Sequence, residues 1–158
     1  MSKSPHSYRV TTVWDGSAAG PAKSYKDYSR DHVIKMQGKP DLLGSSDPGF
    51  RGDASRHNPE DLLVASLSAC HMLWYLHLCT VNGISVFSYT DQATGLMAET
   101  ADGGGHFTSV TLAPKVHISP AAKANLAKAL HQQAHAKCFI ANSVNFPVTH
   151  QPEITTED

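Results

Sequence analysis

One long apolar stretch constrains this chain more than any other part of its sequence. Residues Pro59–Val81 read PEDLLVASLSACHMLWYLHLCTV, with apolar side chains on nearly every side of a helix. Asn58 is a suitable N-cap before this stretch, and Glu60 places negative charge in the first turn. The pair Asn82-Gly83 provides a C-terminal stop. The sequence therefore predicts a helix of about six turns, which other structure must enclose because it is apolar all round.

A membrane span is the alternative interpretation of this stretch. It is long enough to cross a bilayer, but it contains Ser66, Ser68, His71 and His77. A membrane span of this length is usually purer in apolar residues. The chain as a whole is 41% hydrophobic and 17% charged, which is typical of soluble proteins. We therefore expect a core helix of a soluble protein.

The charge and the cysteine count narrow the expected partners and compartment. A formal net charge of -1 gives no reason to expect nucleic acid or an anionic membrane as a partner. The N-terminus lacks the apolar core of a signal peptide. Three cysteines without a secretion signal indicate a reducing cytoplasm. We expect one cytoplasmic domain that covers residues 1–158.

The remaining segments predict an α+β fold, because strands and helices occur in the order strands, long helix, strands, helix, strand. Turn residues and β-branched residues set the boundaries. The predicted segments are strands over 8–14 and 29–36, a loop with little regular structure over 38–58, a hairpin or meander within 84–118, a second helix over 121–143 capped by Ser119-Pro120, and a short strand with a frayed tail over 144–158.

Cys70 and Cys138 are the first candidates for chemistry. Both are expected in helical stretches, where a thiol is either a small core residue or a reactive group. The thiolate is the nucleophilic form, and a thiolate in the middle of a helix gains little from the helix dipole. It needs a cation nearby, and arginine is suitable because it is always charged. The candidates are Arg51, Arg56 and Arg30, each of which has the alternative of being a surface charge.

Helix geometry limits what Glu60 can do for Cys70. The two residues are ten positions apart on one predicted helix, which corresponds to about 15 Å along the axis. Ten steps of about 100° also place them on different sides. Glu60 is therefore either a partner of the helix dipole or a residue that serves Cys70 of a second subunit. The second option predicts an interlaced dimer with its long helices packed together.

Ten histidines raise the question of a metal site. His131, His135 and Cys138 fall at i, i+4 and i+7, on one face of a predicted helix. Zinc needs three or four converging ligands, and the sequence has no Cys-x-x-Cys or His-Glu-x-x-His motif. We expect no metal site, although these three residues stay the one candidate set. Cys79, at the end of the long helix, is interpreted as structural.

Two cysteine blocks resemble the OsmC/Ohr family of osmotically induced and organic-hydroperoxide-resistance proteins. The blocks are RHNPEDLLVASLSACHMLWYLHLC and HAKCFIANSVNFPV. Asn-Pro-Glu, a cysteine ten residues after that glutamate, and a second cysteine after a later helix form an uncommon combination. The resemblance extends over most of the chain, roughly from Tyr8 to Ile154.

The resemblance implies both a fold and an activity. The implied fold is an intertwined homodimer in which antiparallel sheets wrap two long central helices. The implied activity is thiol-dependent reduction of organic hydroperoxides, with Cys70 as peroxidatic cysteine and Cys138 as resolving cysteine. Glu60 matches the glutamate that holds the active-site arginine, for which Arg51 is the first choice, ahead of Arg30 and Arg56. No bound cofactor is implied, and the reductant is an external dithiol, for example of the lipoyl type.

The chain also departs from the family pattern at two places. Family members with peroxidase activity often have Cys-Pro-x-Ser at the second cysteine, whereas this chain has CFIANS. A glycine-rich run before Asn-Pro-Glu is replaced here by RGDASRH. We therefore expect an OsmC-like subgroup member. Apolar residues near the two cysteines either line a pocket that favours alkyl hydroperoxides or are plain core residues, namely Met72, Leu73, Trp74 and Phe139. The alternative is a module of the same fold that binds a small apolar molecule and has weak or vestigial peroxidase activity.

Overall fold

A computed structural model describes residues 5–157 of the chain, and these form two α-helices and nine β-strands. The helices are α1 (Pro59–Val81) and α2 (Ala124–Lys137). The strands are β1 (Thr11–Trp14), β2 (His32–Lys35), β3 (Leu42–Gly44), β4 (Ser85–Asp91), β5 (Thr94–Glu99), β6 (Gly105–Leu112), β7 (Pro114–Ser119), β8 (Val148–His150) and β9 (Glu153–Thr156). The predicted α+β class is confirmed.

Helix α1 begins and ends where the sequence predicts. The Asn58 Oδ1 atom accepts a hydrogen bond from the Asp61 backbone N–H at 2.7 Å, which caps the helix N-terminus. At the other end Gly83 has a φ of 65°, in the left-handed region that favours glycine. The Ile84 N–H then donates to the Cys79 carbonyl oxygen at 2.9 Å, which closes the last turn.

The chain divides into two compact units, and the boundary between Leu62 and Leu63 lies inside α1. The first unit contains an antiparallel sheet with strand order β1-β2-β3. Strand β3 and a short 3₁₀ helix, Pro48–Phe50, lie in the segment predicted to have little regular structure, so that prediction was wrong in part. A three-residue strand is too short to show an alternating pattern, and β3 exists because its backbone pairs with β2.

The first unit buries little apolar surface of its own. Among the described residues, the thirteen buried hydrophobic side chains all lie between Leu67 and Cys138, in the second unit. In the first unit Val13, Trp14 and Leu43 stay 43%, 38% and 50% exposed. A sheet of three short strands needs a hydrophobic face packed against other structure to be stable. The single chain does not provide that packing for these three side chains.

The second unit contains two sheets, with strand orders β4-β7-β9 and β5-β6-β8. Strands β5 and β6 form the predicted antiparallel hairpin, but β4 pairs with β7 instead of β5. The predicted short strand near the C-terminus is β8, which pairs with β6, but the predicted frayed tail is wrong, because β9 pairs with β7. Both of these pairings are parallel, so the sheets are mixed and not purely antiparallel. Pairings between distant segments leave no signal in the local sequence pattern.

Helix α2 is shorter than the predicted segment over 121–143. Short 3₁₀ helices, Ala121–Lys123 and Ala141–Ser143, occupy its ends, and Ser119 ends β7 without capping a helix. Cys138 follows the last helical residue in an extended conformation. The Asn142 amide donates to the carbonyl oxygens of Ala136 and Cys138 at 3.1 and 2.9 Å, which satisfies acceptors at the helix end.

The main core lies between the two helices and the β4-β7-β9 sheet. Its buried members are Tyr75, Leu78, Cys79, Ile84, Val116, Ile118, Ala127, Leu130 and Ala134. Five residues of α1 are buried, at positions 67, 71, 75, 78 and 79, which is one face of the helix. Other apolar positions, such as Leu73 and Val81, are each 63% exposed. The single chain therefore encloses α1 on one side only.

Among the described residues, α1 is also long and apolar enough to cross a membrane, by length and composition alone. Core helices of soluble proteins share this property.

Replacing Asn58 with alanine is expected to destabilise the fold by about 1 kcal/mol, because the first turn of α1 loses its side-chain cap. Urea unfolding followed by circular dichroism measures the change. Asn58→Asp is the matched control, since aspartate preserves the cap acceptor, and it should stay within about 0.5 kcal/mol of the wild-type protein. Equal losses in both variants would show that the cap is not what stabilises this helix start.

Candidate active site

Cys70 and Cys138 meet in the structure, although 67 residues separate them in the chain. Cys70 lies half-buried in the middle of α1, and Cys138, 1% exposed, directly follows α2. Both thiols are free, and Cys138 is within hydrogen-bonding reach of Cys70. Burial, followed by this hydrogen bond, raises the pKa of Cys138 to about 11, and the N–H of Ala141, 3.4 Å from its sulfur, opposes the shift. Cys138 therefore keeps its proton at neutral pH and can donate it towards the Cys70 sulfur.

A pocket of about 540 Å³ opens beside Cys70. It is lined by Cys70, Leu73, Trp74, His77 and Phe139. The rings of Trp74 and Phe139 meet edge to face with centroids 5.9 Å apart. Phe139 is 71% exposed, so the pocket has an open mouth. A concave, mainly apolar surface next to a thiol can bind an organic molecule with its polar end at the sulfur.

The pocket confirms most of the predicted lining and adds one residue. Leu73, Trp74 and Phe139 line it as predicted, whereas Met72 does not. His77 was missed as a lining residue. Positions 70, 73, 74 and 77 follow the i, i+3, i+4, i+7 spacing of one helix face, so the periodicity of α1 around Cys70 is the signal that identifies His77.

Glu60 lies in the first turn of α1 and has a polar atom without a partner. Its Oε2 atom is buried, and no donor among the described residues bonds it. A buried carboxylate oxygen without a hydrogen bond is costly, and a guanidinium is the donor that suits a carboxylate best. Glu60 is therefore placed to accept a hydrogen bond that this chain alone does not supply.

Two of the three candidate arginines are already engaged. Arg56 lies 3.5 Å from an oxygen of Asp15 and 3.7 Å from one of Asp31. The Arg30 guanidinium lies over the rings of Tyr25 and Tyr28, 4.8 and 3.9 Å from their centroids. These contacts hold both side chains within the first unit, and both are explained by its local structure.

Arg51 is the least committed of the three. It is exposed, and its nearest polar contact is the Lys26 carbonyl oxygen at 3.5 Å. Within residues 5–157, its guanidinium forms no ion pair with a carboxylate. Its backbone φ of 67° lies in the left-handed region, which is uncommon for a residue with a side chain. The charge of Arg51 therefore stays available for another group.

A cluster of histidines forms the second polar feature of the second unit. The Nε2 atom of His71 lies 3.0 Å from the Nδ1 atom of His131, and both rings are buried. His150 lies beside both, with ring centroids 5.6 and 6.0 Å away. The ring centroids of His135 and His150 are 6.0 Å apart. The helical spacing predicted that His131 and His135 share a face, but His71 and His150 come from other elements and were missed.

This cluster is not arranged as a metal site. In the part of the chain that the structure describes, no group of three or more His, Cys, Asp or Glu side chains could hold a metal ion. The set His131, His135 and Cys138 therefore does not converge. His131 bonds His71 instead, and Cys138 contacts Cys70.

Comparisons with known proteins identify relatives of the whole chain. The profile of the family described as OsmC-like protein matches residues 52–153. The structure resembles an OsmC-like protein of unknown function from Vibrio cholerae, with 30% identity and a TM-score of 0.85 over 94% of this chain and 100% of that one. A comparison with functionally curated proteins found no match.

Two further structural relatives are organic hydroperoxide resistance proteins. The one from Legionella pneumophila is 19% identical, with a TM-score of 0.67 over 97% of this chain and 99% of the other. The one from Elizabethkingia anophelis is 18% identical, with a TM-score of 0.69 over 99% of this chain and 100% of the other. At these identities the two likenesses concern the fold.

The buried histidines are expected to make the protein sensitive to mild acid. Burial, followed by the charges of neighbouring histidines, lowers the pKa of His71 to about 4 and that of His131 to about 3, from 6.5. Between pH 6.5 and 5 the unfolded chain therefore binds more protons than the folded one, and the free energy of unfolding decreases as the pH is lowered. Each histidine contributes a slope of up to about 1.4 kcal/mol per pH unit.

Urea unfolding at pH 7.5, 6.5, 5.8 and 5.0 measures this slope. The range ends above the ordinary pKa values of carboxylates, so that histidines dominate it. His131→Phe keeps an aromatic ring at the site, and its stability should fall less steeply over the same range. A wild-type free energy of unfolding that stays constant from pH 6.5 to 5.0 would contradict the buried neutral state of these rings.

Proposed function

This chain belongs to the OsmC-like family, and on that basis we propose that it is a thiol-dependent peroxidase that reduces organic hydroperoxides to alcohols. The proposed role is defence against oxidative and osmotic stress in the cytoplasm. Two structural relatives that are organic hydroperoxide resistance proteins support the direction of this proposal.

The observation that supports it most strongly is the meeting of two free thiols at the edge of an apolar pocket. Cys70 lines the pocket, and Cys138 lies behind it within hydrogen-bonding reach. An alkyl hydroperoxide has an apolar body and a reactive O–O bond, and this pocket can hold the first while it presents the second to a sulfur. A second thiol adjacent to the first is what a two-cysteine peroxidase needs to resolve its sulfenic acid.

In the first step the Cys70 thiolate attacks the distal oxygen of the hydroperoxide. An S–O bond forms and the O–O bond breaks, so that Cys70 becomes a sulfenic acid while the alkoxide takes a proton and leaves as alcohol. Leu73, Trp74 and Phe139 surround the organic group in this arrangement. Their apolar surface favours alkyl hydroperoxides over hydrogen peroxide, which has no apolar part to bury.

In the second step Cys138 attacks the sulfur of the Cys70 sulfenic acid. An S–S bond forms, the S–O bond breaks, and the hydroxide combines with the Cys138 proton to leave as water. Because burial raises the pKa of Cys138 to about 11, this thiol does not compete with Cys70 as the first nucleophile. An external dithiol, for example of the lipoyl type, then reduces the disulfide by exchange and becomes a disulfide itself. No bound cofactor takes part in this proposal.

Glu60 and Arg51 complete the proposed site from a second copy of the chain. Helix α1 is continuous from Pro59 to Val81, so Glu60 and Cys70 of one chain are about 15 Å apart along its axis. The buried, unpartnered Oε2 of Glu60 and the uncommitted charge of Arg51 support their pairing with each other within one chain, where they reach Cys70 of the partner chain. The arginine would stabilise the thiolate and the charge that develops on the peroxide oxygens.

The uncovered surfaces of the single chain support a homodimer. Helix α1 exposes Leu73 and Val81, and the first unit exposes Val13, Trp14 and Leu43. A second copy that lays its first unit and its α1 against these faces would bury them in a symmetric interface. The proposed dimer is intertwined, because the first unit of each chain completes the site of the other.

The pocket and the sequence CFIANS, which follows α2, support a second candidate function. A pocket of about 540 Å³ with an apolar lining is large enough for a small ligand. Phe139 occupies the position where related peroxidases often have proline. In this alternative the fold binds a small apolar molecule and its thiols react only slowly. Turnover of organic hydroperoxide at a rate well above the uncatalysed reaction with free thiols distinguishes the two.

Cys70→Ser is expected to abolish the consumption of cumene hydroperoxide in a stopped-flow assay with a dithiol, because the nucleophile is lost. Cys138→Ser should instead accumulate a sulfenic acid on Cys70, detected as a dimedone adduct by mass spectrometry. Cys79→Ala is the matched control, since Cys79 is buried away from the pocket, and it should stay active. A Cys70→Ser variant that consumes the peroxide at the wild-type rate would exclude the mechanism.

The shared site makes a second prediction, for mixed dimers. Glu60→Gln and Cys70→Ser are each expected to be inactive alone. When the two variants are unfolded together and refolded, half of the dimers are mixed, and each mixed dimer has one intact site, which gives about a quarter of wild-type activity by random assortment. Arg51→Met should complement Cys70→Ser in the same way, whereas Arg51→Met with Glu60→Gln should not. A mixture without activity would place the whole site in one chain.

A further inference from the structure

A hydrogen bond between two buried imidazoles links α1 to α2. His71 and His131 are 1% and 0% exposed, and their Nε2 and Nδ1 atoms are 3.0 Å apart. One ring donates and the other accepts, and the tautomers decide which nitrogen is the donor. Their outer nitrogens, Nδ1 of His71 and Nε2 of His131, are buried and have no partner among the described residues. The bond between the rings is therefore the polar contact that each ring has in this core.

The same two helices bring the thiols together. Cys70 and His71 are consecutive on α1, so they point about 100° apart, which corresponds to about 8–9 Å at the side-chain radius of a helix. Cys138 directly follows α2, seven positions after His131, which corresponds to two turns and about 10.5 Å along the helix axis. The distance between Cys70 and His71 is thus similar to the distance between His131 and Cys138, so both contacts can form at once when α2 crosses α1. The histidine contact and the thiol contact are then two points that fix how the helices cross.

The groups around the pair keep this contact in a neutral, closed environment. The Tyr75 ring of α1 stacks on His131 with centroids 3.8 Å apart, and Tyr89 of β4 lies behind Tyr75. His150 of β8 lies beside both rings of the pair, and His135 of α2 lies beside His150. Within residues 5–157 neither ring forms an ion pair with a carboxylate. The His71–His131 bond is thus a contact between neutral rings that packing holds in place.

We propose that the hydrogen bond between His71 and His131 is a positioning device that holds Cys70 and Cys138 within disulfide reach. A disulfide needs its two Cα atoms within about 7 Å, and a displacement of α2 relative to α1 would move the two thiols apart. The use of this disulfide in catalysis rests on the proposed function. The formation of the disulfide does not, because the two thiols can be oxidised without any peroxide.

Equilibrium with glutathione tests the proposal independently of hydroperoxide. Oxidised glutathione takes two electrons and two protons from Cys70 and Cys138, which form a disulfide while two reduced glutathione molecules are released. The equilibrium constant reports how close the two thiols are held. It is measured by alkylation of the remaining thiols followed by mass spectrometry, which also distinguishes Cys79.

His131→Phe preserves the ring and its packing but removes the hydrogen bond, and it is expected to lower this constant about tenfold. His131→Asn places an amide near the position of Nδ1, and it should restore the constant to within about threefold of wild type, since one hydrogen bond to His71 is regained. His135→Gln, one turn away on the same helix, is the matched control and should not change it. Circular dichroism confirms that each variant is folded.

A folded His131→Phe variant with the wild-type constant would overturn the proposal, as would equal constants for His131→Phe and His131→Asn. If His131→Phe does not fold, His71→Leu and His71→Gln form a second pair, in which only the glutamine keeps a polar group near Nε2. The constant should fall in the first and be retained in the second. If the protein consumes no hydroperoxide but its variants show these changes in the equilibrium constant with glutathione, the proposed function is refuted and this inference is supported.

Discussion

Helix α1 organises the described structure because it is apolar on more sides than one chain covers. Of its 23 residues, the five that are buried lie on a single face. Tyr75, Leu78 and Cys79 pack into the main core, His71 bonds His131 of α2, and Leu67 packs against β6. The neighbouring face presents Cys70 to the pocket. The remaining apolar positions, together with a first unit that has no large buried hydrophobic side chain among its described residues, leave surface that only further association can remove from water.

The chemistry of the site follows from burial that differs between two thiols. Cys70 faces a pocket, whereas Cys138 lies behind it, at 1% exposure, where its pKa is raised to about 11. In the proposed mechanism, this difference separates the thiol that meets the substrate from the thiol that resolves its sulfenic acid. The imidazole pair, which joins α1 to α2, is the proposed device that keeps the two thiols within reach of each other.

The sequence pattern predicted the parts of the fold that depend on interactions between residues close together in the chain. The start and end of α1 were correct because Asn58 and Gly83 act through bonds to their own neighbours in sequence. The pairing of β4 with β7 and the parallel pairings of β8 and β9 were not predictable, since each depends on contact with a distant segment. The short β3, which pairs with the nearby β2, was missed because three residues show no alternating pattern. The same distinction holds at the site. The helical period around Cys70 predicts Leu73 and Trp74, whereas the bond from His71 to His131 joins residues 60 positions apart.

The central claim is that Cys70 and Cys138 are one redox pair that an organic hydroperoxide oxidises. Its most direct test is to add one equivalent of cumene hydroperoxide to the reduced protein without any reductant, alkylate the remaining thiols, and map them by mass spectrometry. The account predicts a Cys70–Cys138 disulfide, a mass loss corresponding to two hydrogens, and an alkylated Cys79. A protein in which the hydroperoxide leaves all three cysteines reduced would contradict it.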